Sequence, residues 1–265
     1  MKKLNTTKIK IAGFFLLMSI FWLSVNMALT AETGNLKEAI GIIKAVEQKY
    51  HSANSFRADF VQQIFPPHTT TPSAEATGHF TFAKPCLMRW EYTSPDEQIV
   101  VTYPSIGWLY AVKDKEVQVF DTTEFYKSVV ARAFLKSILD SFEVVEWTET
   151  PKNTNSSGQT GTVSFTLKPK GNNAQISQVE VVIQKSDMLI TKIIAEDQAG
   201  TKNALIFTNQ KWNDSYSPDY FTPSVPHDVT IYTDKGETIS YDSLVKLFKE
   251  KKGVLDCDRE SGARK

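Results

Sequence analysis

The sequence predicts an α+β fold that is mainly β: a curled antiparallel sheet of about 10–11 strands with helices against its concave side. Three observations predict it. Short segments from position 55 to beyond 200 alternate apolar and polar residues, with brief polar turns between them. Two stretches, 36–52 and 123–140, break that alternation with apolar residues at helical spacing. A sheet of so many strands must close, curl or be covered, and those helices are the available covers.

The chain opens with MKKLNTTKIK, which is basic and free of acids, followed by the apolar run IAGFFLLMSIFWLSV and the small-residue stretch NMALTAE. These are the three parts of a cleaved secretory signal peptide, assigned to residues 1–31. The apolar run is shorter than the ~20 residues a membrane-spanning helix needs. Lys2, Lys3, Lys8 and Lys10 leave with it. The mature chain then carries 26 basic against 30 acidic residues, a net −4. A mildly acidic surface is a poor match for nucleic acid, so none is expected as a partner.

Asn35-Leu36-Lys37-Glu38 reads as a capping box, and Leu36, Ile40, Ile43, Val46 and Tyr50 follow at helical spacing. SFRADFVQQI is a half-buried strand. After a Pro/Thr loop come GHFTFA, LMRWEY, EQIVVTY, GWLYAV and EVQVF, a meander with short turns. In LMRWEY, Met88, Trp90 and Tyr92 share one side, and Leu87, Arg89 and Glu91 the other. A wide apolar band between 123 and 140 is helical. Strands resume with FEVVEW, TVSFTL, SQVEVVIQ, MLITKIIAED and ALIFTNQ. YFTPSVPHDVTIY is a proline-broken edge segment. YDSLVKLFKEKK is a short amphipathic helix with Ser240 as its cap.

Catalytic signatures are missing. His51, His68, His79 and His227 form no HExxH pattern, and no GxSxG elbow or phosphate-binding glycine loop is present. Asp96-Glu97 after Pro95 reads as a turn. No enzyme, metal or cofactor is expected. Cys86 and Cys257 are too far apart in sequence for a typical metal motif. They can pair in an oxidising compartment or remain free; a bridge closing so long a loop would add about 4 kcal/mol in the chain-entropy model.

The run GHFTFAKPCLMRWEYTSPDEQIVV, then GWLYAV, together with NSFRADFVQQ upstream and FTPSVPHDVTI downstream, resembles the periplasmic outer-membrane lipoprotein carrier, the LolA-like family. The resemblance spans about 36–232 and is sharpest over 55–65 and 78–112. It implies an unclosed β-barrel with a helical lid over an apolar cavity that takes up lipoprotein acyl chains. It implies a monomer in the periplasm, loaded by an inner-membrane lipoprotein-releasing ABC transporter and unloaded by an outer-membrane lipoprotein acceptor. The carrier domain is then 32–236, with 237–265 a C-terminal helix and tail extension. Phe60, Phe80, Phe82, Met88, Trp90, Tyr92, Ile99, Val101, Trp108 and Tyr110 are expected to line the cavity. Phe134, Leu135 and Ile138 would form the lid's underside.

The family often has Arg before the Pro of the Lys84-Pro85 step, where it helps latch the lid. Here the lid-latch candidates are Lys84 and Arg89, and Arg89 points outward by alternation. Cys86 stands at a glycine-like turn position and Asp228 where glycine is usual. Carriage of another lipid or amphiphile, or a non-catalytic sensor or scaffold role on the same fold, are the competing expectations.

Overall fold

The computed structural model describes residues 36–103, 105–122, 125, 131, 137–150, 161–171 and 175–252. Two compact units divide after Ala39. Leu36–Ala39 is the described part of the first. The second, Ile40–Lys265, holds the sheet.

Helix α1 spans Leu36–Ser52. Ile42, Ile43, Val46 and Tyr50 recur at three- and four-residue steps, and all are buried. Glu38 in its first turn and Lys49 and His51 in its last complement the helix dipole. Asn35, the expected cap, lies outside the described residues, as does most of the helix expected at 123–140. The described end of that stretch is α2, Ile138–Ser141.

Twelve strands form one sheet. They are β1 (Ser55–Phe65), β2 (Ala74–Ala83), β3 (Leu87–Ser94), β4 (Gln98–Thr102), β5 (Gly107–Ala111), β6 (Glu116–Phe120), β7 (Phe142–Thr150), β8 (Thr162–Pro169), β9 (Ile176–Gln184), β10 (Leu189–Asp197), β11 (Lys202–Trp212) and β12 (Thr230–Tyr232). Their spatial order is β12-β6-β5-β4-β3-β2-β1-β11-β10-β9-β8-β7. The sheet is not closed, because β12 and β7 are its ends. Eleven strands match the segments read from the alternation. The twelfth is the proline-broken edge segment, whose last three residues pair with β6 in parallel. The other pairings are antiparallel.

The buried side of the sheet changes along its width. In β1–β3, Phe56, Ala58, Phe60, Phe80, Phe82, Met88 and Trp90 are buried on one face. In β4–β6 the buried apolar side chains are Val101, Trp108, Tyr110, Val117 and Val119, and they lie on the other face. Register shows the change. Trp90 pairs with Val100 and Met88 with Thr102, whereas Val101 sits beside Arg89 and Ile99 beside Glu91. Paired residues share a face.

Helix α3 (Tyr241–Lys252) supplies Leu244 and Phe248 to this second core, with Phe221, Val225 and Ile231. Ser240 caps it as expected, its hydroxyl accepting from the Ser243 amide at 3.2 Å.

Candidate functional site

The face beneath α1 is a continuous aromatic surface. Phe60 packs edge-on to Trp90, with ring centroids 5.1 Å apart, and Phe80 meets Trp90 at 4.2 Å. Phe80 also reaches Phe56 at 5.9 Å and Phe207 at 6.1 Å. Gly78 lies between Phe60 and Tyr92 in the register, and those two rings meet across it at 5.1 Å. A Cβ at Gly78 would overlap the Glu91 carbonyl, so only glycine lets β2 and β3 approach there. The indole Nε1 of Trp90 is buried without a hydrogen-bond partner, as an N–H set among hydrocarbon would be.

α1 is held over this face by a few polar contacts. The Tyr50 hydroxyl accepts from the Ile190 amide at 2.9 Å and donates to Gln210 Oε1 at 3.0 Å. Gln210 Nε2 donates to the Ile190 carbonyl at 2.8 Å. Burial pushes the Tyr50 hydroxyl well above its ordinary titration range, so it keeps its proton. Tyr50 packs edge-on against Phe56 and Trp212, at 5.3 and 4.9 Å. Lys49 donates to the Asp187 carbonyl at 2.5 Å and lies 5.2 Å over the Trp212 ring. Glu47, buried on the helix's apolar stripe, accepts from the Ile138 amide at 2.6 Å and the Ser137 hydroxyl at 3.0 Å. Ser137 makes no cap bond with its own side chain, so the α1 carboxylate caps α2 from outside.

Phe60, Phe80, Phe82, Met88, Trp90 and Tyr92 all lie on the α1 face. Ile99, Val101, Trp108 and Tyr110 do not. They lie on the opposite face, packed with the second core, because even-numbered residues of β3 pair with even-numbered residues of β4. The apolar run Ile99-Val100-Val101 has no alternation that could have decided between the faces. Phe134 and Leu135 lie outside the described residues; Ile138 is buried at the start of α2. Helical spacing places Tyr50 on the apolar face of α1, whereas Phe207, Gln210 and Trp212 join the site through the pairing of β1 with β11. An acid within α1's apolar stripe was the legible sign for Glu47.

The lid for which Lys84 and Arg89 are the latch candidates, at 123–140, lies mostly outside the described residues. The Lys84 side chain is exposed. Arg89 faces away from α1, as alternation required. Its guanidinium donates to the Tyr220 carbonyl at 2.9 Å and to Glu91 Oε1 at 2.9 Å, and lies 4.6 Å over the Tyr220 ring. The Tyr220 hydroxyl donates to Glu91 Oε2 at 2.8 Å. This network fixes the 3-10 helix Pro218–Phe221 onto the outer side of β3. Burial alone would raise the Glu91 carboxyl, but hydrogen bonds from Arg89 and Tyr220, with the Arg89 charge, outweigh it and hold it below its usual range.

His79 pairs with Asp59 at 2.6 Å, and Asn209 donates to the same carboxylate at 2.7 Å. These three side chains form a half-exposed polar cluster on β1, β2 and β11. Among the described residues no cluster of three His, Cys, Asp or Glu could hold a metal ion. Cys86 is fully buried and disulfide-bonded. Cys257, the one other cysteine in the sequence, lies outside the described residues.

Residues 51–224 match the family described as outer membrane lipoprotein carrier protein LolA. The outer-membrane lipoprotein carrier protein of Vibrio campbellii is 26% identical over 234 residues, covering 87% of this chain and 98% of its own. The protein of that name from Neisseria meningitidis serogroup C is 24% identical over 191 residues, covering 72% and 86%. A LolA superfamily protein from Nitrosomonas europaea aligns with a TM-score of 0.38 at 12% identity, covering 70% of this chain and 97% of its own. The match to the family profile takes in well over half of the sequence, and with it the aromatic strands β1–β3; the chain belongs to the outer membrane lipoprotein carrier family, whose members are non-catalytic carriers.

Proposed function

We propose that the protein is a periplasmic carrier that takes the acyl chains of lipoproteins released from the inner membrane onto the aromatic face beneath α1, and delivers them to an outer-membrane acceptor. The observation that carries this reading is the joined ring surface of Phe56, Phe60, Phe80, Trp90 and Phe207, in a chain of the carrier family. Acyl chains cannot cross water uncovered, since each methylene removed from water is worth about 0.8 kcal/mol. Flat rings and the unbranched Met88 offer apolar contact without demanding one chain conformation.

These side chains are buried against one another, so cargo enters only when the cover lifts. For that movement the anchors of α1 at Glu47, Lys49 and Tyr50 would have to release. Loading by an inner-membrane ABC transporter would supply the opening. Unloading requires an acceptor that binds the cargo more tightly than the carrier does. The predicted signal peptide, residues 1–31, would bring the chain to the periplasm, where it acts as a monomer.

The test is a release assay. Spheroplasts with lipoproteins retained in the inner membrane are mixed with the purified mature protein, and the soluble fraction is assayed for a lipoprotein complex. Release is expected with the wild type and with Met88→Leu. Met88→Gln should retain its circular dichroism yet release at least about tenfold less, as a polar amide in the acyl site costs of the order of 1–3 kcal/mol. A folded wild type that releases nothing, beside an active transporter from the same source, would sink the reading.

A further inference from the structure

A recess opens in the sheet at β9–β11. It occupies about 470 Å³ over β9–β11, with Val182, Leu189, Ile206 and Phe207 among its walls. Its origin is local. β10 and β11 pair from Lys192 opposite Ile206 onward, and the pairing to β9 shifts between Ile190 and Lys192. Before that point the Ile190 amide and carbonyl bond to Tyr50 and Gln210 side chains in place of the β11 backbone. The strands part there and leave a recess. Asn209, in the left-handed region at φ 51°, turns β11 on its rim.

Most of its polar lining is already committed. Asn209 donates to Asp59, Gln184 to Ser186 and Asp187, Thr191 to the Val182 carbonyl, and Gln210 to the Ile190 carbonyl. Among the described residues two lining polar side chains have no hydrogen bond or ion pair: Lys192 and Thr208. Both flank Ile206 on the outward side of the sheet, Lys192 as its cross-strand partner and Thr208 two residues on. The recess thus offers apolar walls, one hydroxyl and one uncompensated cation.

We propose that this recess binds a single-chain amphiphile with an anionic head, the head on Lys192 and Thr208 and the chain along Val182, Leu189 and Ile206. At roughly 30 Å³ per water-sized group, the volume takes a chain of about a dozen carbons with its head. A neutral head would leave the Lys192 charge uncompensated beside hydrocarbon, so the site discriminates by charge. The recess shares Phe207 with the aromatic face, but Lys192, Thr208, Val182 and Ile206 lie on the outward side of the sheet, and the proposal does not depend on the lipoprotein reading.

The experiment uses the mature full chain, labelled for amide NMR, titrated with laurate and with dodecanol below their aggregation limits. Laurate is expected to shift the Val182, Lys192 and Thr208 amides and to bind at least about tenfold more tightly than dodecanol. Lys192→Glu should weaken laurate at least about tenfold and so remove that preference. Lys192 is only partly buried, so the variant is expected to fold, and Lys192→Arg should retain the preference. Equal affinity for the two ligands would overturn the proposal. So would shifts confined to Phe60, Phe80 and Trp90, or a Lys192→Glu variant that binds laurate like the wild type. Lipoprotein release by Lys192→Glu is expected to be normal, which separates failure of this site from failure of the carrier reading.

Discussion

Gly78 is the position where one atom decides the geometry of the aromatic face. A methyl group there would occupy the space of the Glu91 carbonyl oxygen, and backbone cannot yield as a side-chain tip does. Gly78→Ala should destabilise the protein by about 1–3 kcal/mol, read as a lowered urea midpoint. It should also part the Phe60 and Tyr92 rings, which near-ultraviolet circular dichroism would register. A midpoint unchanged from wild type would show that β2 and β3 can separate without loss. The sequence gives a glycine in an alternating strand, a sign of close approach, but not the strand it approaches. Lys84 is a related case. Its position in the motif is legible, yet the side chain ends in solvent, and the anchors of α1 come from Glu47, Lys49 and Tyr50, whose partners lie some 90 to 140 residues away.

Elements were read more securely than their orientation. α1 and eleven strands follow from periodicity, because a half-buried strand and an amphipathic helix each write their period into the chain. Which face of β4 and β5 is dry does not follow, since Ile99-Val100-Val101 is apolar on both sides and the register is set by the turn before it.

The 3-10 helix Pro218–Phe221 was unforeseen, because its docking depends on Arg89 and Glu91 from a distant strand. Its attachment should depend on pH. The Glu91 carboxyl is held below its ordinary value in the folded protein, so its contribution is fully present above the ordinary glutamate range and is lost as pH falls through the lowered value. Hydrogen exchange at the Tyr220 and Thr222 amides should therefore accelerate, relative to the intrinsic rate, below about pH 4.3. Arg89→Lys should produce the same loosening at neutral pH, because lysine lacks the planar fork that serves Tyr220 and Glu91 together. Protection that is flat with pH and unaffected by Arg89→Lys would refute this account of the docking.

At the scale of the molecule, two cores share one sheet. The first lies under α1. The second lies under α3 and the segment around Phe221, on the reverse side of β4–β6. The expectation of one concave lining merged them, since both are rich in aromatics and both sit on alternating strands. Cys86 stands at the turn into β3, buried and bridged, so this junction is fixed covalently as well as by packing.

The exchange of dry side between β3 and β4 makes the exposed turn at Thr93–Glu97 a parity counter. Surface turns usually accept added residues freely. Here one inserted residue would send Val101 and its neighbours to the opposite side of the sheet and turn Val100 and Thr102 toward the second core. Two inserted residues would restore the original count. A single glycine placed after Asp96 should therefore cost several kcal/mol, or abolish folding, while a Gly-Ser pair at the same point costs less than about 1 kcal/mol. The length of that loop matters little to such a chain; whether the length is odd or even matters a great deal.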